Sequence, residues 1–148
     1  MGPHRTGEDA PLLDVAHFAV MIGDVEVGFS FVSSLTSETD PADPIGSRYR
    51  TVVLRRALTG SQDLYLWRQR VAEGHRDVRP VTIRQYDPSG DRLMNAWLLV
   101  DAWPCRWSGP AFDAAEGGVA MEEIELACER LVWLKDAHRE EENDGGTA

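Results

Sequence analysis

Glu122, Glu123 and Glu125 come nearest in this sequence to the paired carboxylates of acid–base hydrolysis, where one protonated group donates and one ionised group accepts. Neighbouring acids on an edge strand or a helix are more simply explained as solvated side chains, and no nucleophile or base stands at a spacing that would complete a site. Cys105 and Cys128 are too far apart for a Cys-x-x-Cys pair and have no histidine at ligand spacing, so neither metal nor thiol redox chemistry is suggested. His4, His17, His75 and His138 are scattered singly and read as structural or surface residues. Neither a GxxxxGKS/T nor a GxGxxG pattern occurs, which leaves a phosphate cradle without support. Asp101 and Arg106 flank aromatic residues, and a surface ion pair accounts for them. No catalytic residue, cofactor-binding residue or metal ligand is expected, and the chain reads as something other than an enzyme.

The tryptophans say more. Trp97, Trp103 and Trp107 fall within eleven residues, and together they bring on the order of several hundred Å² of apolar surface to one place. Something large must cover them. Trp97 is expected in the core, while Trp103 and Trp107, in a proline-flanked loop, are candidates for burial against another subunit. A small-ligand pocket or enzymatic β-domain built on the same indoles is the competing expectation.

Length and charge narrow the classes. The 148 residues suit one domain, and 43% hydrophobic with 27% charged residues is a globular composition. The net charge is −10, and residues 111–148 hold 11 of the 25 acidic side chains against 3 of the 15 basic ones. Such a chain lacks the basic footprint that phosphates or an anionic membrane require, so specific nucleic-acid binding and direct membrane insertion are not expected. The stretch from Pro11 to Ile22 is the nearest thing to a signal core, but Asp14 and His17 interrupt it, and no segment is apolar for long enough to span a bilayer. Synthesis and retention in the cytoplasm are expected unless a larger machine carries the chain out.

The elements that must position these residues follow from periodicity. Residues 1–14 read as a flexible arm, 15–134 as the folded domain and 135–148 as an acidic disordered tail. Period-two alternation from Phe18 to Ile22, and again from Val25 to Phe31, around Gly23-Asp24 predicts a hairpin with a tight turn. Residues 33–50 hold Pro41 and Pro44 and cannot be a core strand throughout, so a long excursion is expected there. Thr51 to Leu58 returns to strand character. Leu64, Trp67 and Val71 then repeat at helical spacing, with Ser61 as N-cap and Gly74 as the stop. That helix is short, and its stripe must cover a sheet. A second hairpin runs from Val81–Gln85 through Asp87–Gly90 into Arg92–Ala102, a strand with apolar residues on both faces, which Trp103–Pro110 ends. From Met121 to Leu131 the periodicity favours a helix, with a strand as the poorer fit.

Four runs carry a family likeness: GFSFVSSLTSET (Gly28–Thr39), YRTVVLRRALTGSQDLYLW (Tyr49–Trp67), DAWPCRWSGP (Asp101–Pro110) and VAMEEIELA (Val119–Ala127). In order and spacing they resemble the tail tube proteins of contractile phages and phage tail-like contractile injection systems, from about Phe18 to Leu131. The resemblance implies an α+β, mainly antiparallel β fold, two-sheeted and β-barrel-like, with one flanking helix on the outer side. It also implies homo-hexameric rings stacked into a hollow tube, with sheath and baseplate proteins as partners and a lumen that can carry cargo. Such a chain assembles in the cytoplasm and becomes part of a phage tail-like particle. On this reading Val119–Ala127 is strand, residues 33–50 reach to the next ring, and the subunit-interface candidates are Ile45, Tyr49, Arg50, Trp103 and Trp107. A tube-initiator ring joining tube to baseplate is the alternative within the same class. Between Glu38 and Tyr49 the chain is shorter than in many relatives and carries Asp40, Asp43 and two prolines.

Overall fold

The computed structural model describes residues 15–134. The arm expected at 1–14 and the acidic tail expected at 135–148 lie outside the described residues. The elements are β1 (Phe18–Ile22), β2 (Val25–Val27), β3 (Phe31–Val32), β4 (Ser37–Asp40), β5 (Asp43–Tyr49), β6 (Val52–Ala57), α1 (Asp63–Ala72), β7 (Arg79–Tyr86), β8 (Leu93–Ser108), β9 (Met121–Ala127) and β10 (Arg130–Leu134). Eight strands form one antiparallel sheet in the order β2-β1-β7-β8-β9-β6-β3, with β10 also on β8, and β4 and β5 pair separately. The sheet folds over itself so that Val20, Ile22, Val81 and Leu99 share one core with Val52, Leu54, Ile124 and Leu126, and Leu64 and Trp67 of α1 join it. Among the described residues this is the expected mainly antiparallel fold with one helix, barrel-like in its wrapping but unclosed, because β2, β3 and β10 each keep a flank without a strand partner.

Several local expectations hold and others shift. The first hairpin turns at Gly23, whose φ of +64° suits a residue without a side chain. Its second strand stops at Val27, however, and Phe31 belongs instead to β3, paired with Arg55. The helix covers Asp63–Ala72 with Gln62 as N-cap and no side-chain cap; Ser61 Oγ accepts only a long 3.4 Å bond from the Asp63 N–H. Gly74, at φ +96°, ends it as expected. Met121–Ala127 is strand, as the resemblance implied against the periodicity, and its alternate residues Glu122, Ile124 and Leu126 are buried.

The largest departure is β8, which does not end at Ala102 but runs on to Ser108 through Pro104. A proline cannot donate to a neighbouring strand, but from Trp103 onward β8 pairs only with β9, which leaves its other flank without a strand to donate to, and the register shifts beside Pro104. Just before it, Asp101 adopts φ +51°, where β8 leaves its β7 and β10 partners for β9. A short polar side chain tolerates that left-handed geometry, which turns the strand from one half of the sheet into the other.

Candidate functional site

The strands β3, β6, β9 and the Trp103–Ser108 half of β8 lie side by side, and this layer is open at both borders. β3 ends the sheet on one flank. On the other, Trp103–Ser108 pairs with no strand but β9 among the described residues, and only Arg68 of α1 reaches that border, donating to the Pro104 carbonyl at 3.4 Å. Unpaired strand borders are templates for another strand.

One face of the layer packs into the core and the other carries a charge ladder. Arg106 Nε donates to Glu125 Oε1 at 2.9 Å and its guanidinium also binds Glu123; Arg55 Nε donates to Glu123 Oε1 at 3.1 Å; and the Thr51 hydroxyl donates to Glu125 Oε2 at 2.6 Å. Glu123 is held below the usual carboxylate range by Arg106 first and Arg55 second, and Glu125 by Thr51 first and Arg106 second. Arg106 is raised in turn, by Glu123 before Glu125. Thus Glu123 and Glu125 are paired rather than merely solvated, and Arg106 bonds these two and not Asp101. Because both carboxylates titrate lower when folded, their contribution is complete above the ordinary glutamate value of 4.5 and is lost as pH falls through the depressed folded values. Thermal scans from pH 7 to pH 3 are expected to show the melting temperature falling below about pH 4.5, with a shallower fall in Arg106→Ala.

Glu122 points the other way and is 1% exposed. It accepts 2.8 Å from Trp107 Nε1 and 2.9 Å from Arg56 Nε, and Arg56 reaches on to Asp63 at the start of α1. Burial works against the Arg56 charge, but hydrogen bonds to Asp63 and Glu122 outweigh it and hold the guanidinium protonated. The buried glutamate contradicts the reading of all three acids as solvated; strand alternation puts the first inside and the other two outside. This pairing is a clasp between α1, β6, β8 and β9, with no acid–base pair left free for catalysis.

The three indoles do not form one cluster. Trp97 stacks on Trp133 at 5.9 Å and is only half-buried, where the core expectation placed it fully inside. Trp103 is exposed beside Val71 and His75, and Trp107 packs on the core with Tyr65 edge-on at 5.1 Å. Both lie in strand rather than a loop, and the left-handed Asp101 separates them from Trp97. The indole pocket therefore loses its basis. Cys105 and Cys128 are free thiols, each raised first by burial, with Glu125 adding to it at Cys105. Among the described residues no group of histidine, cysteine and acidic side chains could hold a metal, and no helix is long and apolar enough to cross a membrane.

Ile45, Tyr49 and Arg50 sit on a projection. The Arg50 N–H donates to the Thr36 carbonyl at 3.2 Å, so the β4–β5 hairpin continues the β3–β6 pairing, with Ser47 and Tyr49 of its return limb beside β8 and the start of β10. Ile45 near its tip is 87% exposed. Tyr49, at its base, lines an open cleft of about 420 Å³ with Val100, Asp101 and Arg130. Arg50 is bound to Glu38 across the hairpin, a bond that raises its pKa. The sequence singled out the hairpin residues through the resemblance alone; the ladder and the clasp it did not find, although the Glu-Glu-x-Glu spacing on a strand was a usable signal.

Residues 15–132 match the family described as the T4-like virus tail tube protein gp19. In fold, the chain is similar to a chain of the PVC sheath/tube terminator of an extracellular contractile injection system, with a TM-score of 0.72 and 23% identity over 84% of this chain and 98% of that one. It is similar to a chain of the PVC sheath-tube complex, at TM-score 0.69 and 21% identity over 90% and 98%. Hcp1 from Flavobacterium johnsoniae shares the fold at TM-score 0.59 and 13% identity over 78% and 93%. No curated protein matches the sequence. With the family match running from ahead of β1 into β10, this chain belongs to the T4-like tail tube protein gp19 family, whose members are structural tube proteins and not enzymes.

Proposed function

We propose that this chain is the inner tube subunit of a phage tail-like contractile injection system. Six copies join side by side into a ring, and rings stack into a hollow tube that sheath contraction propels. The observation that carries this reading is the four-stranded layer open at both borders. A β3 border set against the Trp103–Ser108 border of the next copy is a head-to-tail contact, which makes a ring when its rotation closes. The Arg55–Glu123–Arg106–Glu125 face then lines the bore with charges already paired to one another. The domain is residues 15–134, with the arm and acidic tail outside it. Sheath and baseplate proteins are the partners, in keeping with the sheath-tube and baseplate structures among its fold neighbours. Assembly in the cytoplasm and release as part of a phage tail-like particle belong to the same reading, in keeping with the extracellular contractile injection systems among its fold neighbours, and the hollow bore leaves room for cargo.

A second reading, a specialised ring at one end of the tube, is favoured by the likeness to tube terminator and cap structures. Mass photometry and negative-stain imaging of the purified chain separate the readings. An inner tube subunit gives hexamers and tubes of indefinite length; an end ring gives hexamers that never elongate; a persistent monomer at high concentration sinks both. Ile45→Asp or Tyr49→Ala is expected to leave the fold and the hexamer intact and to impair stacking, because both residues stand on the projecting hairpin. Tubes of normal length in both variants would count against the hairpin as the reaching segment.

A further inference from the structure

The four strands of the open layer finish differently at their two ends. At one end, where Val52 faces Leu126, the β3–β6 pairing is prolonged through Ser37 and Tyr49 to Asp40 and Asp43. At about 3.3 Å per residue, this carries the hairpin tip roughly 20 Å past the end of the β6–β9 pairing. At the other end, where Ala57 faces Met121 and the Leu58 N–H donates to the Ala120 carbonyl at 2.9 Å, the chain between β8 and β9 forms a loop over residues 109–120. The loop is held in shape from within. Asp113 Oδ1 accepts the N–H groups of Ala115 and Glu116 at 3.0 and 3.2 Å, and the Gly117 N–H donates to the Asp113 carbonyl at 2.9 Å. Gly109 lets the loop leave the sheet against Trp107, since a Cβ there would come within 3.1 Å of the indole. Yet this ordered loop holds Phe112 at 89% and Val119 at 77% exposure, next to a cleft of about 290 Å³ lined by Arg55, Pro110, Val119 and Met121. Two large apolar side chains held in water by one well-bonded loop at the end of the layer are available to a partner.

We infer that the 109–120 loop, anchored by Phe112 and Val119, is the seat for the β4–β5 hairpin tip of a second copy in the adjoining ring. The inference rests on the ring-and-stack reading above and adds the receiving surface to it. Tip and seat lie at opposite ends of the same four strands, so displacement of a copy along those strands brings the tip of one onto the seat of the other, a head-to-tail contact that repeats without limit. Exposed Ile45 on the tip meets exposed Phe112 and Val119 on the seat. A contact of three or four such side chains buries on the order of several hundred Å², below the roughly 1,200 Å² that holds a lone pair of proteins together. Single copies therefore do not pair through it, while six contacts made in concert join ring to ring.

The test reads rings and stacks separately. With Cys105→Ser and Cys128→Ala as background, Ile45→Cys combined with Phe112→Cys is expected to give, on mild oxidation, covalent chains longer than six subunits. Ile45→Cys combined with Leu66→Cys, on the exposed side of the helix, is expected to give none. Phe112→Asp with Val119→Asp is expected to keep hexamers in mass photometry and to shorten tubes more than tenfold in negative-stain images. Tubes of normal length in that double variant, with no covalent chains from the first cysteine pair, would overturn the seat and leave the rings standing. A parent chain that stays monomeric would overturn the ring reading and the seat with it.

Discussion

Replacing Glu122 by alanine is expected to cost about 3–5 kcal/mol of folding stability, the usual consequence of removing one member of a buried ion pair. The carboxylate is 1% exposed, and its loss leaves the Trp107 indole N–H and one side of the Arg56 guanidinium without a partner. Asp63 still holds the other side of Arg56, so the charge is not stranded completely. Glu122→Gln keeps an acceptor and most of the shape but gives up the charge, and a smaller loss of about 1.5–3 kcal/mol is expected. Glu123→Ala, one residue along on the solvent face, is expected to cost under about 1 kcal/mol. Urea unfolding with unchanged slope measures all three. Equal losses for the two alanine variants would mean that the clasp contributes no more than a surface pair.

Trp67→Ala is expected to be of comparable size, about 3–5 kcal/mol, because a large buried ring leaves a cavity that its neighbours cannot fill. Trp67 is 1% exposed, its Nε1–H donates to the Asp77 carbonyl at 2.9 Å, and Arg79 lies over its ring at 4.5 Å. Asp77 in turn is held below the usual range by Arg79 first, against a smaller opposing effect of burial, with Arg70 adding to it. The indole is thus the pin that fixes α1 and the following turn to the core. Trp67→Phe keeps most of the apolar volume and loses the donor, so about 1 kcal/mol is expected. Urea midpoints for the two variants separate the packing contribution from the hydrogen bond. A loss in Trp67→Phe as large as in Trp67→Ala would assign the role to the bond with Asp77 and not to the buried ring.

What could be read from the residues alone depended on how local its cause was. Gly23-Asp24 between two alternating runs contains its own turn, and Leu64, Trp67 and Val71 contain their own helix face, so both were legible. Met121–Ala127 was not: Met121, Ile124 and Cys128 fit a helical stripe equally well, and only pairing to β6 and β8 on either side makes the segment a strand. Pro104 pointed to the end of β8 because the rule against proline in strands assumes partners on both flanks, and the free border was invisible in the sequence. The run Glu122-Glu123-x-Glu125 looked uniformly acidic, although strand alternation was enough to send one carboxylate inward once the segment was known to be extended. The open borders are a property of topology and appear only when all the strands are in place.

The hairpin's two limbs keep the register of β3 and β6 across the short non-strand stretches at 33–36 and 50–51, which the Arg50 N–H to Thr36 carbonyl bond bridges. A pull on its tip along the strands therefore loads the neighbouring β6–β9 ladder, Val52↔Leu126 to Ala57↔Met121, sideways and all at once instead of peeling it rung by rung. Such a member is stiff in tension and resists detachment with the strength of the whole ladder. In the stacked tube proposed above, thrust delivered at one end would pass from copy to copy along this paired backbone.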